Sequence, residues 1–237
     1  SFETQLKTLN GNGVRTMTER YPTAPDALLL MAPGCAHCPV VLEGLGRLLK
    51  EGRLGRLEVL NVAAHPEAAA AAGIRSVPWT RIGPFELDGL YAPAELAEWA
   101  AHAAAGTGMA AYLSHLLEQR QLNRAVAIVR RTPGALADLI ALAGSLETPM
   151  GTRIGISAVV EELQGTGALR DVLPALTELA ASPEPPVRAD AAHFLGLSGG
   201  EGARGPLERL LGDTDPQVRE IAAESLALLT PSAKPRD

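Results

Sequence analysis

The sequence contains few aromatic residues, two cysteines and no long hydrophobic run. Aromatic residues make up 3% of the 237 positions, so any core has to be built from Leu, Ala, Val and Ile. The apolar run "DALLLMA" is far shorter than the roughly 18 residues of a membrane span. The first residues, "SFETQLKTLN", lack the basic and apolar regions of a secretory signal. We therefore expect a soluble protein with no membrane contact, located in the cytoplasm, or in the periplasm if a signal peptide has been removed.

Basic residues are also in the minority. There are 21 Lys and Arg against 27 Asp and Glu, a net charge of −6. Nucleic-acid-binding proteins usually present a basic face, so we expect no nucleic-acid partner. Hydrophobic residues at 46% and charged residues at 20% indicate a globular chain, which is long enough for one large domain or two ordinary ones.

Residues 1–105 alternate strand-like and helix-like segments. This order requires a crossover connection, and therefore some parallel pairing in a mixed sheet. Residues 106–108 are predicted to link this domain to a second one over 109–237. The predicted strands are 27–32, 56–64, 76–82 and 85–90. The predicted helices are 39–52, 65–73 and 92–105, with less distinct ones around 3–9 and 14–20.

From residue 109 onward the strand signals stop and helical stretches follow one another. "SPEPPVRADAAHFLGL" (182–197) and "DTDPQVREIAAESLAL" (213–228) align at an offset of 31 residues. Helix pairs of this kind cannot bury their apolar faces alone and stack into solenoids. Thr132, Thr148 and Asp215 are the predicted N-caps of three of these helices. The predicted helices are 109–119, 121–131, 133–146, 149–164, 169–181, 186–197, 202–211 and 216–229.

The segment "DPQVREIAAESL" resembles the HEAT-repeat family, in which the pattern D-P-x-V-R-x-x-A-A-x-x-L recurs. The resemblance implies an α-solenoid that presents a surface to protein partners, and it does not by itself imply catalysis. An unrelated helical bundle is the alternative. Arg188 and Arg219 recur at the repeat spacing, which favours a structural bond to a neighbouring repeat over ligand binding.

Both cysteines lie in "APGCAHCPVV" (32–41), between a predicted strand and a predicted helix. The free N–H groups and the dipole of the helix start would stabilise a thiolate at Cys35. Three residues of helix would then bring Cys38 within reach as the resolving thiol. His37 can donate a hydrogen bond or a positive charge to that thiolate. Two structural thiols, or part of a metal site, are the alternatives. A tetrahedral zinc site needs four ligands and this motif supplies three at most, so we expect no metal.

Pro78, in "RSVPWT", begins a strand about 40 residues after the motif. With the C-x-x-C motif and the order of elements, it gives residues 25–105 a resemblance to the thioredoxin family. The resemblance implies that Cys35 is the nucleophile, that Cys38 resolves the mixed disulfide and that Pro78 is a cis-proline packed against the motif. It also implies a substrate-binding role for the backbone around the proline. The predicted substrate-binding residues are Val77, Trp79 and Ala36, although Trp79 could equally be packing.

The motif departs from thioredoxin in ways that leave the direction of electron flow open. Ala36-His37 replaces Gly-Pro between the cysteines and, with Val77 before the proline, resembles the DsbA oxidases. The large helical insertion of those oxidases is absent. Leu29 stands where thioredoxins carry a buried aspartate, and Gly34 stands where they carry tryptophan.

The fold class predicted from these patterns is an α/β thioredoxin-like domain followed by an all-α HEAT-like solenoid. The predicted function is that of a thiol–disulfide oxidoreductase acting on protein disulfides or dithiols through the Cys35–Cys38 pair, with no other cofactor. The repeats would recruit the substrate or a protein partner. The alternative is a protein-binding scaffold with a thioredoxin-like fold and little or no redox turnover.

Overall fold

The computed structural model describes residues 24–229, so the helices expected around 3–9 and 14–20 lie outside the described residues. The chain divides into two compact units between Gly108 and Met109. We call them the sheet unit and the helical unit. Within the described range, no helix is long and apolar enough to cross a membrane.

A mixed four-stranded sheet forms the centre of the sheet unit, in the spatial order β2-β1-β3-β4. Strand β1 pairs in parallel with β2 and antiparallel with β3, which forms an antiparallel hairpin with β4. Leu29 and Leu30 on β1 are both fully buried, as the continuous apolar run predicts for a strand covered on both faces. The strands are β1 (Asp26–Met31), β2 (Arg56–Asn61), β3 (Trp79–Ile82) and β4 (Phe85–Asp88).

Between residues 24 and 108, three helices accompany this sheet, namely α1 (Cys38–Lys50), α2 (Pro66–Ala72) and α3 (Pro93–Ala105). Helix α1 makes the crossover from β1 to its parallel neighbour β2. Helices α1 and α3 pack against each other and against the sheet. Their buried residues recur every three or four positions, so each helix presents one apolar face. The larger of these buried residues are Val41, Leu45 and Leu48 on α1 and Leu96 on α3.

The helical unit stacks its helices in two rows. Helices α4, α6, α8 and α10 contact one another in succession, and so do α5, α7, α9 and α11. This arrangement confirms a helical solenoid for the described part of the unit. The helices are α4 (Met109–Glu118), α5 (Leu122–Arg131), α6 (Ala135–Ala143), α7 (Met150–Glu162), α8 (Leu173–Leu179), α9 (Pro185–Ser198), α10 (Glu201–Leu210) and α11 (Pro216–Leu229).

The ends of these helices differ in part from the prediction. The Asp215 carboxylate accepts the N–H groups of Gln217 and Val218, at 2.8 and 3.2 Å, which confirms this N-cap. The other two predicted N-caps are wrong, because α6 and α7 begin after Gly134 and Pro149. The Thr148 hydroxyl instead donates to the carbonyl oxygen of Leu142 at 2.6 Å. The predicted helix 169–181 is divided into a 3-10 turn, Ala168–Arg170, and α8.

Candidate dithiol site

A tight turn carries the C-x-x-C motif from the end of β1 to the start of α1. The backbone N–H of Cys35 donates to the carbonyl oxygen of Ala32 at 3.4 Å. Gly34, between them, has a φ of +78°, a left-handed conformation that glycine adopts without steric cost. Gly34, where thioredoxins have tryptophan, therefore allows the turn that places Cys35 beyond the carboxyl end of β1.

Cys35 and Cys38 form a disulfide with their Cα atoms 5.5 Å apart. Cys38 is fully buried, whereas Cys35 is partly exposed. Helix α1 begins at Cys38 with His37 at its N-cap position, so residues 35–37 are not helical. The prediction that three residues of helix join the two sulfurs is therefore wrong. A turn before the helix brings them together.

Two polar backbone groups lie next to the Cys35 sulfur. The N–H of Cys38 donates to Cys35 Sγ at 3.2 Å. The carbonyl oxygen of Val77 lies 3.7 Å from the same sulfur, although the two residues are 42 positions apart in sequence. When the pair is reduced, the N–H group and the positive end of the α1 dipole can stabilise negative charge on Cys35.

The Val77–Pro78 peptide bond is cis, the form that the resemblance implies. Pro78 is buried, and its carbonyl oxygen accepts the N–H of Gly89 at 2.9 Å. The segment that holds the proline is thereby tied to the end of the β3–β4 hairpin. This bond fixes the chain next to Val77, whose carbonyl oxygen faces the Cys35 sulfur.

The remaining predicted site residues differ in exposure. Ala36 and His37 are exposed beside Cys35, and Val77 is half-buried. Trp79 is only 2% exposed and is paired with Leu30 in the β1–β3 ladder. Its position fits the alternative of ordinary core packing and offers no face to a substrate in solution.

The buried side of the motif is apolar. Leu29, at the position of the thioredoxin aspartate, is fully buried in the sheet. A proton leaving Cys38 therefore has to pass to water or to a residue other than the one at position 29. Among residues 24–229, no group of three or more His, Cys, Asp or Glu side chains is placed to hold a metal ion.

One surface feature of the site was not predicted from the sequence. Val40, two residues after Cys38, is 44% exposed in the first turn of α1. It lies off the apolar stripe that Val41 and Leu45 bury against the core. The helical spacing of that stripe is the signal that could have identified Val40 as an outward-facing apolar side chain near the dithiol.

In the helical unit, the recurring arginines make structural bonds. The Arg188 guanidinium donates through Nε and Nη2 to both carboxylate oxygens of Asp213, each at 2.7 Å. Its Nη1 donates to the carbonyl oxygens of Ser182 and Pro183. Because Asp213 precedes the next repeat helix, the predicted bond between repeats is confirmed for Arg188. Arg219 donates Nη1 to the carbonyl oxygens of Asp213 and Thr214 in its own loop.

These contacts shift the ionisation of the carboxyl groups. The Arg188 hydrogen bonds hold the pKa of Asp213 below its usual value, and the same bonds raise the pKa of Arg188. A second pair, Arg153 with Asp190, joins α7 to α9 and was missed because residues 150–163 are a degenerate copy of the repeat. Burial raises the pKa of Asp190, although the positive charge of Arg153 acts in the opposite direction.

Part of the helical unit is similar to a known protein family. Residues 156–227 match the family described as HEAT repeats. No curated protein matches the chain. HEAT repeats commonly serve as protein-interaction modules, and the matched residues run from within α7 to within α11. Residues 156–227 of the helical unit are therefore similar to HEAT repeats, which supports the helical-repeat part of the prediction.

Proposed function

We propose that the protein is a thiol–disulfide oxidoreductase whose Cys35–Cys38 pair exchanges disulfides with protein substrates recruited by the helical repeats. The observation that carries the proposal is the asymmetry of the pair. Cys35 is partly exposed and receives the N–H of Cys38 at 3.2 Å, whereas Cys38 is fully buried. In the proposed reaction, Cys35 therefore meets the substrate and Cys38 resolves the adduct.

The order of elements supports a thioredoxin-like fold for the sheet unit. A strand, the C-x-x-C turn, a helix and a parallel strand are followed by a short helix, a cis-proline, a hairpin and a final helix. The cis-proline segment lies beside the dithiol through the Val77 carbonyl oxygen. Its neighbouring backbone, with the exposed Ala36 and His37, is the surface that we assign to the substrate.

The proposed reaction moves two electrons and two protons without a cofactor. In the reducing direction, the Cys35 thiolate attacks one sulfur of a substrate disulfide and the other sulfur leaves as a thiolate, which is then protonated. Cys38 loses its proton to water or to another base and attacks Cys35 Sγ. The Cys35–Cys38 disulfide forms and the second substrate thiol is released. The reverse sequence oxidises a substrate dithiol.

A scaffold with little redox turnover is the second candidate. The scaffold is favoured by the apolar side chain at position 29. With Leu29 there, the buried Cys38 lacks the carboxylate that assists proton removal in thioredoxins. In that case the helical repeats alone would account for the function of the protein, as a platform for partners.

Substitution of each cysteine separates the two candidates. We expect Cys35→Ser to lower the rate of disulfide exchange with a disulfide-linked peptide by at least about 100-fold, because it removes the nucleophile. We expect Cys38→Ser to accumulate mixed disulfides, visible on non-reducing gels. A matched control is Val40→Ser, which changes the exposed surface near the motif and retains both thiols. If both cysteine variants exchange disulfides at the wild-type rate and trap no adduct, the result would support the scaffold.

Equilibration with glutathione buffers then gives the direction of electron flow. A potential near about −270 mV would mark a reductant like thioredoxin, and one near about −120 mV an oxidant like DsbA. If the wild-type pair forms no reversible disulfide under these conditions, the oxidoreductase proposal is wrong.

A further inference from the structure

Thr80 on strand β3 is a buried polar residue in the core of the sheet unit. Its side chain is fully buried, and among residues 24–229 no group is placed to form a hydrogen bond with its Oγ1. Thr152, equally buried in the helical unit, has Ser114 and Glu118 as partners at 2.9 and 3.3 Å. A buried hydroxyl without a partner lowers stability, so its presence at Thr80 requires a reason.

Thr80 lies next to Leu29, the residue at the position of the thioredoxin aspartate. The two are paired in the antiparallel ladder between β1 and β3. Side chains paired in this way lie on the same face of a sheet, with their Cβ atoms about 4.5–5.5 Å apart. Leu29 is apolar and fully buried. A polar side chain is therefore present on the neighbouring strand, directly beside the position where the carboxylate is replaced.

The face of the sheet that carries Thr80 is the one that the helices cover. Leu87 of β4 is paired with Thr80, and Phe85, two residues earlier, lies on the same face. The Phe85 ring packs against Trp99 of α3, with ring centroids 5.1 Å apart. Helix α3 in turn packs against α1, whose first residue is Cys38. Thr80 therefore points toward the layer that contains the start of α1.

Cys38 lies over the end of the sheet at which Thr80 is found. Helix α1 leads from the end of β1 back to the start of the parallel strand β2, so it runs antiparallel to both strands. The 13 residues of α1 and the 6 residues of β1 both span about 20 Å. The start of α1 therefore lies above the last residues of β1, near Leu29 and its partner Thr80.

The charged and titratable residues on the elements around Cys38 lie off the covered face. On α1 and α3 they are outside the fully buried stripes, and on the strands they alternate with the residues that face the helices. His37, next to Cys38, is exposed at the start of α1. The others are Glu43, Arg47 and Lys50 on α1, Glu95, Glu98 and His102 on α3, Asp26 on β1, Arg56 and Glu58 on β2, Arg81 on β3, and Glu86 and Asp88 on β4.

We propose that the Thr80 hydroxyl assists the resolving step by donating a hydrogen bond to the Cys38 thiolate, directly or through one water molecule. The bond stabilises the negative charge that forms when the Cys38 proton passes to solvent water. The thiolate then attacks Cys35 Sγ, the bond from Cys35 to the substrate breaks, and the substrate sulfur leaves as a thiolate. This inference rests on the proposed function, because it assigns a residue to one step of that reaction.

Stopped-flow absorbance with the reduced full chain and one equivalent of dithiobis(nitrobenzoate) separates the two steps of the reaction. Cys35 attacks the reagent disulfide and releases a first coloured thiolate. Cys38 then attacks Cys35 Sγ in the adduct and releases a second coloured thiolate, so that only the second release depends on Cys38.

Thr80→Val tests the hydroxyl, because it retains the approximate volume of the side chain and removes the donor. We expect the midpoint of the pH–rate profile of the second release to rise by about one pH unit. The thiolate that remains is more nucleophilic, so the second release should be about 3-fold slower at neutral pH and at least as fast as wild type at alkaline pH. The first release should keep its rate.

Three stability measurements by urea denaturation accompany the kinetics. Thr80→Val should raise the midpoint, because it removes an unpartnered buried hydroxyl. Thr80→Ser keeps the hydroxyl and loses a methyl group, so it should lower the midpoint and retain the wild-type pH profile. Thr152→Val makes the same change at a hydrogen-bonded hydroxyl of the helical unit, and it should lower the midpoint and leave both releases unchanged.

The outcomes distinguish this inference from the proposed function. A wild-type pH profile for the second release in Thr80→Val would overturn the inference and leave the proposed function intact. So would equal slowing at every pH, or a Thr80→Ser variant as slow as Thr80→Val, since either result would show an effect of packing. If the wild-type protein gives no first release, the proposed function is wrong, and so is the role of Thr80.

Discussion

The sheet unit and the helical unit use their ion pairs in different ways. In the sheet unit Arg47 and Glu51 form a surface pair whose side chains are 74% and 43% exposed. In the helical unit Arg188 and Asp213 form a pair at 12% and 8% exposure, between successive repeats. Exposed pairs contribute little to stability, whereas a nearly buried bidentate pair is costly to break. The sheet unit therefore depends on its apolar core, and the repeats also depend on buried polar contacts.

The two units also differ in the side chains that fill their cores. In the sheet unit, large side chains such as Leu29, Leu30 and Phe85 are fully buried. In the last repeats, small residues such as Ala191, Ala192 and Ala222 are fully buried alongside large ones such as Phe194 and Leu195. Small residues let helices approach closely but bury little apolar area each. At these alanines the helices of the repeats therefore have little room for added volume.

The largest difference should come from breaking one ion pair in each unit. We expect Arg188→Ala to lower the free energy of unfolding by about 2–3 kcal/mol, because it leaves the carboxylate of Asp213 unpaired in a nearly buried position. The control Arg47→Ala should cost only about 0.3–0.5 kcal/mol, as is usual for exposed i,i+4 pairs. Equal losses in the two variants would contradict the comparison.

Urea denaturation with two probes assigns each loss to its unit. Both tryptophans of the chain, Trp79 and Trp99, lie in the sheet unit, so their fluorescence reports its unfolding. Eight of the eleven α-helices in residues 24–229 belong to the helical unit, so circular dichroism at helical wavelengths reports mainly that unit. Arg188→Ala should shift the dichroism transition, and Arg47→Ala should leave it in place.

A smaller effect should follow from adding one methyl group to a helix in each unit. A Cβ atom at Gly196 on α9 would lie 2.7 Å from Ser225 Cβ and 2.9 Å from Ser225 Cα on α11. We expect Gly196→Ala to destabilise the helical unit by about 1–2 kcal/mol, because the two helices have to move apart. At Gly46 on α1 a Cβ would meet nothing within 4 Å. There Gly46→Ala should stabilise the sheet unit by about 0.5–1 kcal/mol through helix propensity. Denaturation followed by the same two probes would detect both changes.

The smallest predicted effect is an opposite dependence on pH for two carboxyls of the helical unit. Arg188 lowers the pKa of Asp213, so the stabilisation from its carboxylate is present above the unfolded-state pKa of about 3.9 and is lost as the pH falls through the folded-state value. Burial raises the pKa of Asp190, so its contribution is greatest below the unfolded-state pKa and declines as the pH rises through the folded-state value.

The opposite pH dependence of the two carboxyls can be measured with Asn variants, whose free energy of unfolding is obtained by circular dichroism. Between about pH 6 and about pH 3, the advantage of the wild type over Asp213→Asn should shrink, and its advantage over Asp190→Asn should grow. The same direction of change in both variants would show that the two carboxyls do not have the opposite environments described above.

Much of the fold was predicted from local sequence patterns, because turns and helix ends depend on interactions between residues that are close in sequence. The β3–β4 hairpin around Gly83-Pro84 and the end of α2 at Gly73 follow from turn and capping chemistry. The break before α8 was missed. Pro174 lies in the first turn of α8, where its missing N–H costs nothing, and the preceding residues form a separate 3-10 turn. The sequence shows this proline but not where the preceding turn ends.

The candidate site was predictable in its residues and less so in its geometry. The three-residue spacing of Cys35 and Cys38 predicts that the sulfurs can meet, and they form a disulfide. The proximity of the Val77 carbonyl oxygen to Cys35 depends on β1 pairing with β3, a contact between distant parts of the chain. The turn that precedes α1 depends on the left-handed conformation of Gly34. Neither could be obtained from spacing alone.

The burial of Cys38 makes the disulfide a one-sided electrophile. Of its two sulfurs, only that of Cys35 belongs to a residue with access to solvent. An incoming thiolate therefore has one point of attack, and every adduct carries the same covalent linkage. The folded protein should give a single regioisomer with any thiol reagent, and peptide mapping of that adduct should locate the label at Cys35 alone.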